Sequence, residues 1–363
     1  MTGAHYLVCP AGIPNYGDEV IAATWLRHLA GTAPATDVVV DCLYPETAAA
    51  HLDGIHPRAR FTNTLWNLCL SLWPEDDPAV VCAWVTDAVR DPGLADLYGA
   101  QVIHLAGGGY LNAIWPYFAG LPAGIVTVAE ASGARTAATG QGLWPPADDS
   151  GLTRSFLDRF DVVDVRDAAS AEFAGLAPQD AYCDDVFLGM GPQLLRTEGE
   201  MPEVMVSVQS LLADNSPEDT ARYVAEVLRS WDATDVGLLE CSPEKDRDVL
   251  DAVEKEVPGV RRYGLDDVLA NGLPARAGQR WLGTRFHPHL VAAAAGAYGV
   301  GLVVGDGYYG TKHQSLIDAG SGWGLVRVPE IPPPPDSGGF SGDRLAELRA
   351  AKLAVAERVY GRS

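Results

Sequence analysis

The sequence is short of positive charge. Its 26 lysines and arginines stand against 48 aspartates and glutamates, a net charge of −22. That balance opposes general nucleic-acid binding and docking on anionic membranes, because both present charge of the same sign. An anionic ligand would need a local basic pocket. Paired cysteines are also missing. The six, at 9, 42, 69, 82, 183 and 241, form no C-x-x-C pair. Zinc and dithiol sites are therefore not indicated, and reduced core thiols are expected. The opening MTGAHYLVCPAG has neither the cationic flank nor the long apolar segment of a signal peptide. The longest apolar run, Leu290 to Val304, is broken by glycines and falls short of the roughly 20 residues of a spanning helix. A cytoplasmic location is expected. No G-x-G-x-x-G fingerprint occurs, so the dinucleotide signature is absent.

What is present reads as globular and α/β. The chain of 363 residues exceeds the roughly 250–300 at which a single core stops growing, which predicts two domains. A strand at Tyr6–Pro10 and an amphipathic helix at Asp18–Leu29 form a βα unit. Strand patterns recur at Asp37–Leu43, Gln101–Ala106, Gly124–Val128, Arg135–Gly140 and Phe160–Val165, and a short helix follows at Asp167–Phe173. This alternation predicts a mostly parallel sheet. The Gly-, Pro- and charge-rich stretch 189–203 suits a linker. Beyond it, strands at Val204–Gln209, Val236–Leu239 and Arg280–Gly283 alternate with helices at Pro217–Arg229 and Lys245–Glu256. The predicted domains are residues 1–190 and 203–330. Residues 331–363 form a Pro-rich connector and a last helix, on which Leu345, Leu348, Val355 and Val359 share a face.

Four segments have the composition of a binding site. GIPNYGDE (residues 12–19) joins the first strand to the first helix. Its glycines would let backbone N–H groups approach a ligand, while a tight turn capped by Asp18 is the plainer reading. HLAGGGYLN (104–112) places Gly107, Gly108 and Gly109 after a strand, where either a ligand or the rings of Trp115 or Tyr117 would fill the space. TGQGLWPP (139–146), with Gln141, is a companion loop, and Arg166 follows the Phe160–Val165 strand. The most specific segment is WLGTRFHPHLVAAAAG (281–296), a strand exit into a small-residue helix. Arginine matches phosphate or carboxylate as a fork, and a helix N-terminus adds unpaired N–H donors. In extended backbone Arg285 and His287 would project to one side, and a histidine exchanges protons near neutral pH. His289 reads as solvated. GDGYYGTKHQSLIDAG (305–320) adds Lys312 near a helix start at Thr311 or Lys312. The spacing of His287, His289 and Asp306 fits no metal-ligand pattern, so no metal is expected.

In order, Asn15-Tyr16-Gly17-Asp18-Glu19, Gly107-Gly108-Gly109, Gly140-Gln141-Gly142, Val165-Arg166-Asp167, Thr284-Arg285-Phe286-His287 and Tyr309-Gly310-Thr311-Lys312 resemble the polysaccharide pyruvyl transferase family, over nearly the whole chain. The resemblance implies two Rossmann-like domains facing a cleft, similar to the GT-B glycosyltransferases, with the acceptor on the N-terminal side and the donor on the C-terminal side. It implies transfer of a pyruvyl group from phosphoenolpyruvate, as co-substrate and without a cofactor, to hydroxyls of a sugar or glycan, with a ketal as product. A membrane-linked acceptor would add peripheral membrane contact. Arg285 and His287 match the family's Arg-x-His, Lys312 its downstream lysine, and Arg166 a further donor contact. His287 is then the acid that protonates the donor methylene, and Asp18 and Glu19 are candidates for the base. The run Gly142-Leu143-Trp144-Pro145-Pro146 is bulkier than the family's turn, and Pro288-His289 is unusual after the key histidine. These departures bear on the acceptor. A nucleotide-sugar glycosyltransferase on the same fold and a non-catalytic binding member are the alternative readings.

Overall fold

The computed structural model describes residues 3–91, 93–148, 150–177, 182–209, 215–305 and 308–361. The chain forms two compact units, one of residues 1–13, 18–189 and 348–363, the other of residues 14–17 and 190–347. Each contains one six-stranded parallel sheet. The first is built from β1 (Ala4–Val8), β2 (Val38–Asp41), β3 (Ala59–Thr62), β4 (Ala100–Leu105), β5 (Arg135–Gln141) and β6 (Val162–Val165), in the order β3-β2-β1-β4-β5-β6. The second is built from β7 (Val204–Ser207), β8 (Val236–Leu239), β9 (Arg261–Tyr263), β10 (Arg280–Gly283), β11 (Tyr298–Val303) and β12 (Gly324–Arg327), in the order β12-β11-β10-β7-β8-β9.

Helices cover these sheets, so central strands such as Val38-Val39-Val40 are buried throughout and read as continuous apolar runs. The strand order reverses between β1 and β4 in one sheet and between β7 and β10 in the other. Open parallel sheets hold ligands outside the carboxyl ends of the strands at such reversals. Among the described residues no helix is long and apolar enough to cross a membrane.

Two expectations need correction. Gly124–Val128 is not a strand but part of the helix Gly120–Ser132. That helix is apolar nearly all round because it is buried, and a short apolar run carries no period that separates helix from strand. Its glycines serve packing, since a Cβ on Gly120 would lie 2.9 Å from Val85 and 3.0 Å from the Cys69 sulfur. The helix expected to start at Thr311 or Lys312 already includes Tyr308 and runs to Asp318; residues 306 and 307 lie outside the described residues.

The last helix, Gly342–Tyr360, buries Leu348, Val355 and Val359 as its spacing predicts, but Lys352 lies fully buried in the same stripe. From Leu348 onward it belongs to the first unit. There the Lys352 ammonium lies 2.5 Å from Asp164 Oδ2 and 3.1 Å from Asp185 Oδ1. Asp185 Oδ2 accepts the N–H of Gly107 (2.9 Å), the Trp25 indole N–H (2.7 Å) and the Thr139 hydroxyl (2.7 Å). Because Thr139 donates to Asp185, it must accept from His104 Nε2 at 2.7 Å, which leaves His104 Nδ1 to accept the Tyr360 hydroxyl at 2.7 Å. His104 is therefore neutral, and burial lowers its pKa to about 4. Burial alone would strip the proton from Lys352, but Asp164 and Asp185 reverse the sign and raise its pKa.

Replacing Lys352 by Met should leave two interior carboxylates without their cation and cost on the order of 3–5 kcal/mol. Urea unfolding at neutral pH would show it. A loss under about 1 kcal/mol, the range of a surface pair, would contradict the assignment.

Candidate functional site

The reversal in the second sheet lies where β7 and β10 end. Thr284 donates its N–H to the Ser207 carbonyl (2.9 Å), and its hydroxyl accepts the N–H of Gln209 (3.2 Å). The chain then turns at Arg285 (φ −91°, ψ 130°) into the helix Phe286–Ala294. Arg285 is thus extended, as expected, but His287 is not. It lies in the first helical turn, so alternation along an extended chain does not set the direction of its side chain.

Arg285 is fixed by a residue the sequence reading did not single out. Asp246, on the helix Pro243–Glu256, is fully buried, and its Oδ2 accepts the N–H groups of Cys241 (2.9 Å) and Ser242 (3.0 Å). Its Oδ1 pairs with Arg285 Nη2. Burial opposes the guanidinium charge, but Asp246 outweighs it and the pKa of Arg285 rises. Arg285 Nε has no hydrogen-bond partner among the described residues. The only advance signal for Asp246 is its place in Ser242-Pro243-Glu244-Lys245-Asp246, a helix start at the exit of β8.

The four residues Pro14–Gly17 group with this second unit. Tyr16 donates its N–H to the Cys241 carbonyl (2.8 Å), and Asn15 Oδ1 faces the N–H of Gly17 at 3.4 Å. The helix begins at Tyr16, so Asn15 and not Asp18 stands at its cap; Asp18 lies in the first turn, where its charge suits the helix dipole. A Cβ on Gly17 would lie 1.8 Å from His287 Nδ1. The imidazole occupies the space a side chain at 17 would fill. Lys312 Nζ lies 3.8 Å above the Tyr308 ring and 5.9 Å from that of Tyr309, an attraction between cation and π face. Tyr309 in turn feels the charges of Arg285 and Asp246. Arg285 and Lys312 thus both lie near the Tyr309 ring.

His289 is not solvated. It is buried, its ring lies 4.1 Å from Trp323 at an interplanar angle of 7°, and its Nδ1 and Nε2 bond His313 Nδ1 and Ser321 Oγ, each at 2.9 Å. With both nitrogens engaged, His289 acts in packing.

The other loops named from the sequence lie in the first unit. Gly107 and Gly108 follow β4 at the reversal, and their lack of side chains is needed by the packing itself. A Cβ would meet Asp185 at 2.9 Å from Gly107, and the Tyr110 ring at 2.6 Å from Gly108. Tyr110, not Trp115 or Tyr117, fills the space over the loop. The Gly109 carbonyl accepts from Asn112 Nδ2 at 3.0 Å. Gln141 is fully buried, and its Nε2 donates to the carbonyls of Leu105, Ala106 and Thr139 at 3.1, 2.9 and 3.1 Å, a strut between the ends of β4 and β5. Glu19 is also fully buried; its Oε1 accepts the Gly12 N–H at 2.8 Å and so braces its loop, while its Oε2 has no hydrogen-bond partner among the described residues. Arg166, expected as a donor contact, has only 3% of its side chain exposed and stands 3.7 Å from both Asp167 and Asp184. Its charge is already matched within its own unit.

Two outcomes follow. Gly17→Ala should displace the His287 ring while the melting temperature stays within a few degrees, since alanine suits a helix better than glycine; a crystal structure with the ring unmoved would contradict this. Burial also lowers the pKa of His104 and His313 to about 4. Between about 6.5 and about 4 the unfolded chain protonates these rings and the folded chain does not. Stability should therefore fall as pH drops through that window, by roughly 1.4 kcal/mol per pH unit for each ring. Urea midpoints that stay flat across it would refute the neutral assignment.

The polysaccharide pyruvyl transferase description matches residues 15–238. No functionally curated protein matches the sequence. Among solved structures, a putative UDP-N-acetylglucosamine 2-epimerase from Listeria monocytogenes has a TM-score of 0.54 at 12% identity, over 99% of this chain and 90% of that one. The UDP-GlcNAc 2-epimerase from Neisseria meningitidis, bound to UDP-GlcNAc, has 0.53 at 12%, over 98% and 99%. A UDP-glucosyltransferase from Polygonum tinctorium has 0.52 at 10%, over 99% and 92%. At such identity these likenesses bear on the fold alone, which is the GT-B arrangement of glycosyltransferases and epimerases. Matched over more than half of its length, the chain belongs to the polysaccharide pyruvyl transferase family.

Proposed function

We propose that this protein transfers the pyruvyl group of phosphoenolpyruvate to hydroxyls of a sugar or glycan and closes a ketal, in the cytoplasm, where the donor is made. The observation that carries the reading is Arg285, held by buried Asp246 at the start of a helix where the second sheet reverses its strand order. Family membership supports phosphoenolpyruvate as the donor. A fixed guanidinium, helix N–H groups and the Lys312 ammonium suit a ligand that carries both carboxylate and phosphate.

Phosphoenolpyruvate becomes electrophilic at C2 once C3 takes a proton. In our reading the His287 imidazolium gives that proton: the alkene pair forms the C3–H bond and C2 is left cationic. An acceptor hydroxyl adds to C2 and releases its proton. The C2–O bond to phosphate then breaks with its pair going to the phosphate, whose growing charge Arg285 and Lys312 offset. A second hydroxyl adds, loses its proton and completes the ketal. The donor arrives activated, so the scheme uses no cofactor. The scheme assigns no step to Arg166, which lies beside Asp167 and Asp184, or to Glu19, whose Oε1 braces Gly12.

His287→Ala should lower acceptor-dependent phosphate release by at least about a hundredfold, the scale of a lost general acid, with phosphoenolpyruvate binding retained. Calorimetry with phosphoenolpyruvate against UDP-sugars checks the donor. Binding of UDP-sugars alone, or near-normal turnover by the variant, would overturn the reading.

A further inference from the structure

Gln209 leaves the end of β7, beside Thr284 and Arg285, with only 1% of its surface exposed. Among the described residues neither its Oε1 nor its Nε2 has a hydrogen-bond partner. The Tyr309 phenol lies near the Gln209 amide, a contact that does not satisfy the amide's two N–H groups and its oxygen. A buried amide has strong reason to be satisfied, and one left open at the reversal of a parallel sheet calls for a cause. Its neighbours share the condition. Arg285 Nε and the buried hydroxyl of Tyr16 are also without partners among the described residues. Tyr16 donates its N–H to the Cys241 carbonyl at the exit of β8, and Asp246, which holds Arg285, accepts the Cys241 N–H. Open polar atoms thus gather from three chain segments around the exits of β7, β8 and β10.

We infer that Gln209 is a ligand-contacting residue, its amide N–H donating to an oxygen of the anion that Arg285 grips. The inference rests on the proposed reading of the Arg285 site. An amide suits this place because it adds a donor without adding charge, whereas a second arginine there would compete with Arg285 for Asp246. The unbound protein bears the cost of the open amide, and the ligand removes it.

The test uses the full chain with Gln209→Leu and Gln209→Glu, melted alone and titrated with phosphoenolpyruvate, UDP-GlcNAc and inorganic phosphate. Leucine removes an unsatisfied group, so the free Gln209→Leu protein should melt at or above the wild-type temperature. Its affinity for phosphoenolpyruvate should fall about tenfold or more, the scale of a hydrogen bond to a charged group. Gln209→Glu, which sets a negative charge beside the anion, should lose more. A lower melting temperature for free Gln209→Leu, or unchanged affinity, overturns the assignment, because a structural amide would behave so. If wild type binds UDP-GlcNAc and not phosphoenolpyruvate, the proposed function falls; loss of that binding in Gln209→Leu would still uphold Gln209 as a contact. Wild type that binds none of the three would overturn both.

Discussion

Strands of a parallel sheet end in loops whose first N–H groups meet no neighbouring strand, and burying one unpaired costs roughly 1–3 kcal/mol. Here buried carboxylates take them. Asp41 accepts from Thr64 and Leu65 at 2.9 and 2.8 Å, and Asp164 from Gly140 at 2.9 Å. Asp185 takes Gly107, Glu19 takes Gly12, and Asp246 takes Cys241 and Ser242. Part of the acidic excess is therefore internal, and it fixes the loops at the carboxyl ends of both sheets.

An interior carboxylate needs compensation, and the two units meet that need differently. Asp41 relies on neutral donors, among them the Tyr6 hydroxyl at 2.8 Å, and burial still pushes its pKa up to about 6. Asp164 and Asp185 share Lys352, which carries the last helix onto the first unit and is consumed by that role. Asp246 has Arg285. A guanidinium offers more N–H groups than one carboxylate oxygen takes, so Arg285 neutralises Asp246 and keeps Nε open. An ammonium in its place would satisfy the loop and leave less for a ligand. The choice of cation separates the anchor in one unit from the candidate site in the other.

This division explains what the sequence revealed. Strands with strong apolar runs, such as β2, β7 and β10, were legible, as were the helices between them, because burial of parallel strands writes itself into composition. β3 and β9 were not, since ARFT and RRY are short edge strands with polar residues, and β11 lay hidden in a glycine-broken run. Arg285, His287 and Lys312 stood out because cations are scarce and these follow a strand or sit near a helix start. Asp246, Lys352 and Gln209 did not. An acid, a lysine or an amide looks alike in any sequence until the fold shows whether its partners lie inside, and those partners are distant: Lys352 pairs with Asp164 and Asp185.

The glycines carry the same lesson. In the sequence, glycine-rich loops read as openings for a ligand's approach to backbone. In the structure, several make room for a side chain instead. The guanidinium of Arg166 fills the place of a Cβ on Gly142, within 2.4 Å, and the ring of His313 that of Gly301, within 2.8 Å. His287 does so at Gly17, where the admitted side chain is the acid of the proposed reaction. A loop glycine thus records a close neighbour without naming it. The neighbour's identity separates a glycine that admits a core ring, as at 301, from one that admits a ring of the candidate site, as at 17. That distinction enters only with the fold, because nothing in NYGDE refers to a histidine some 270 residues away.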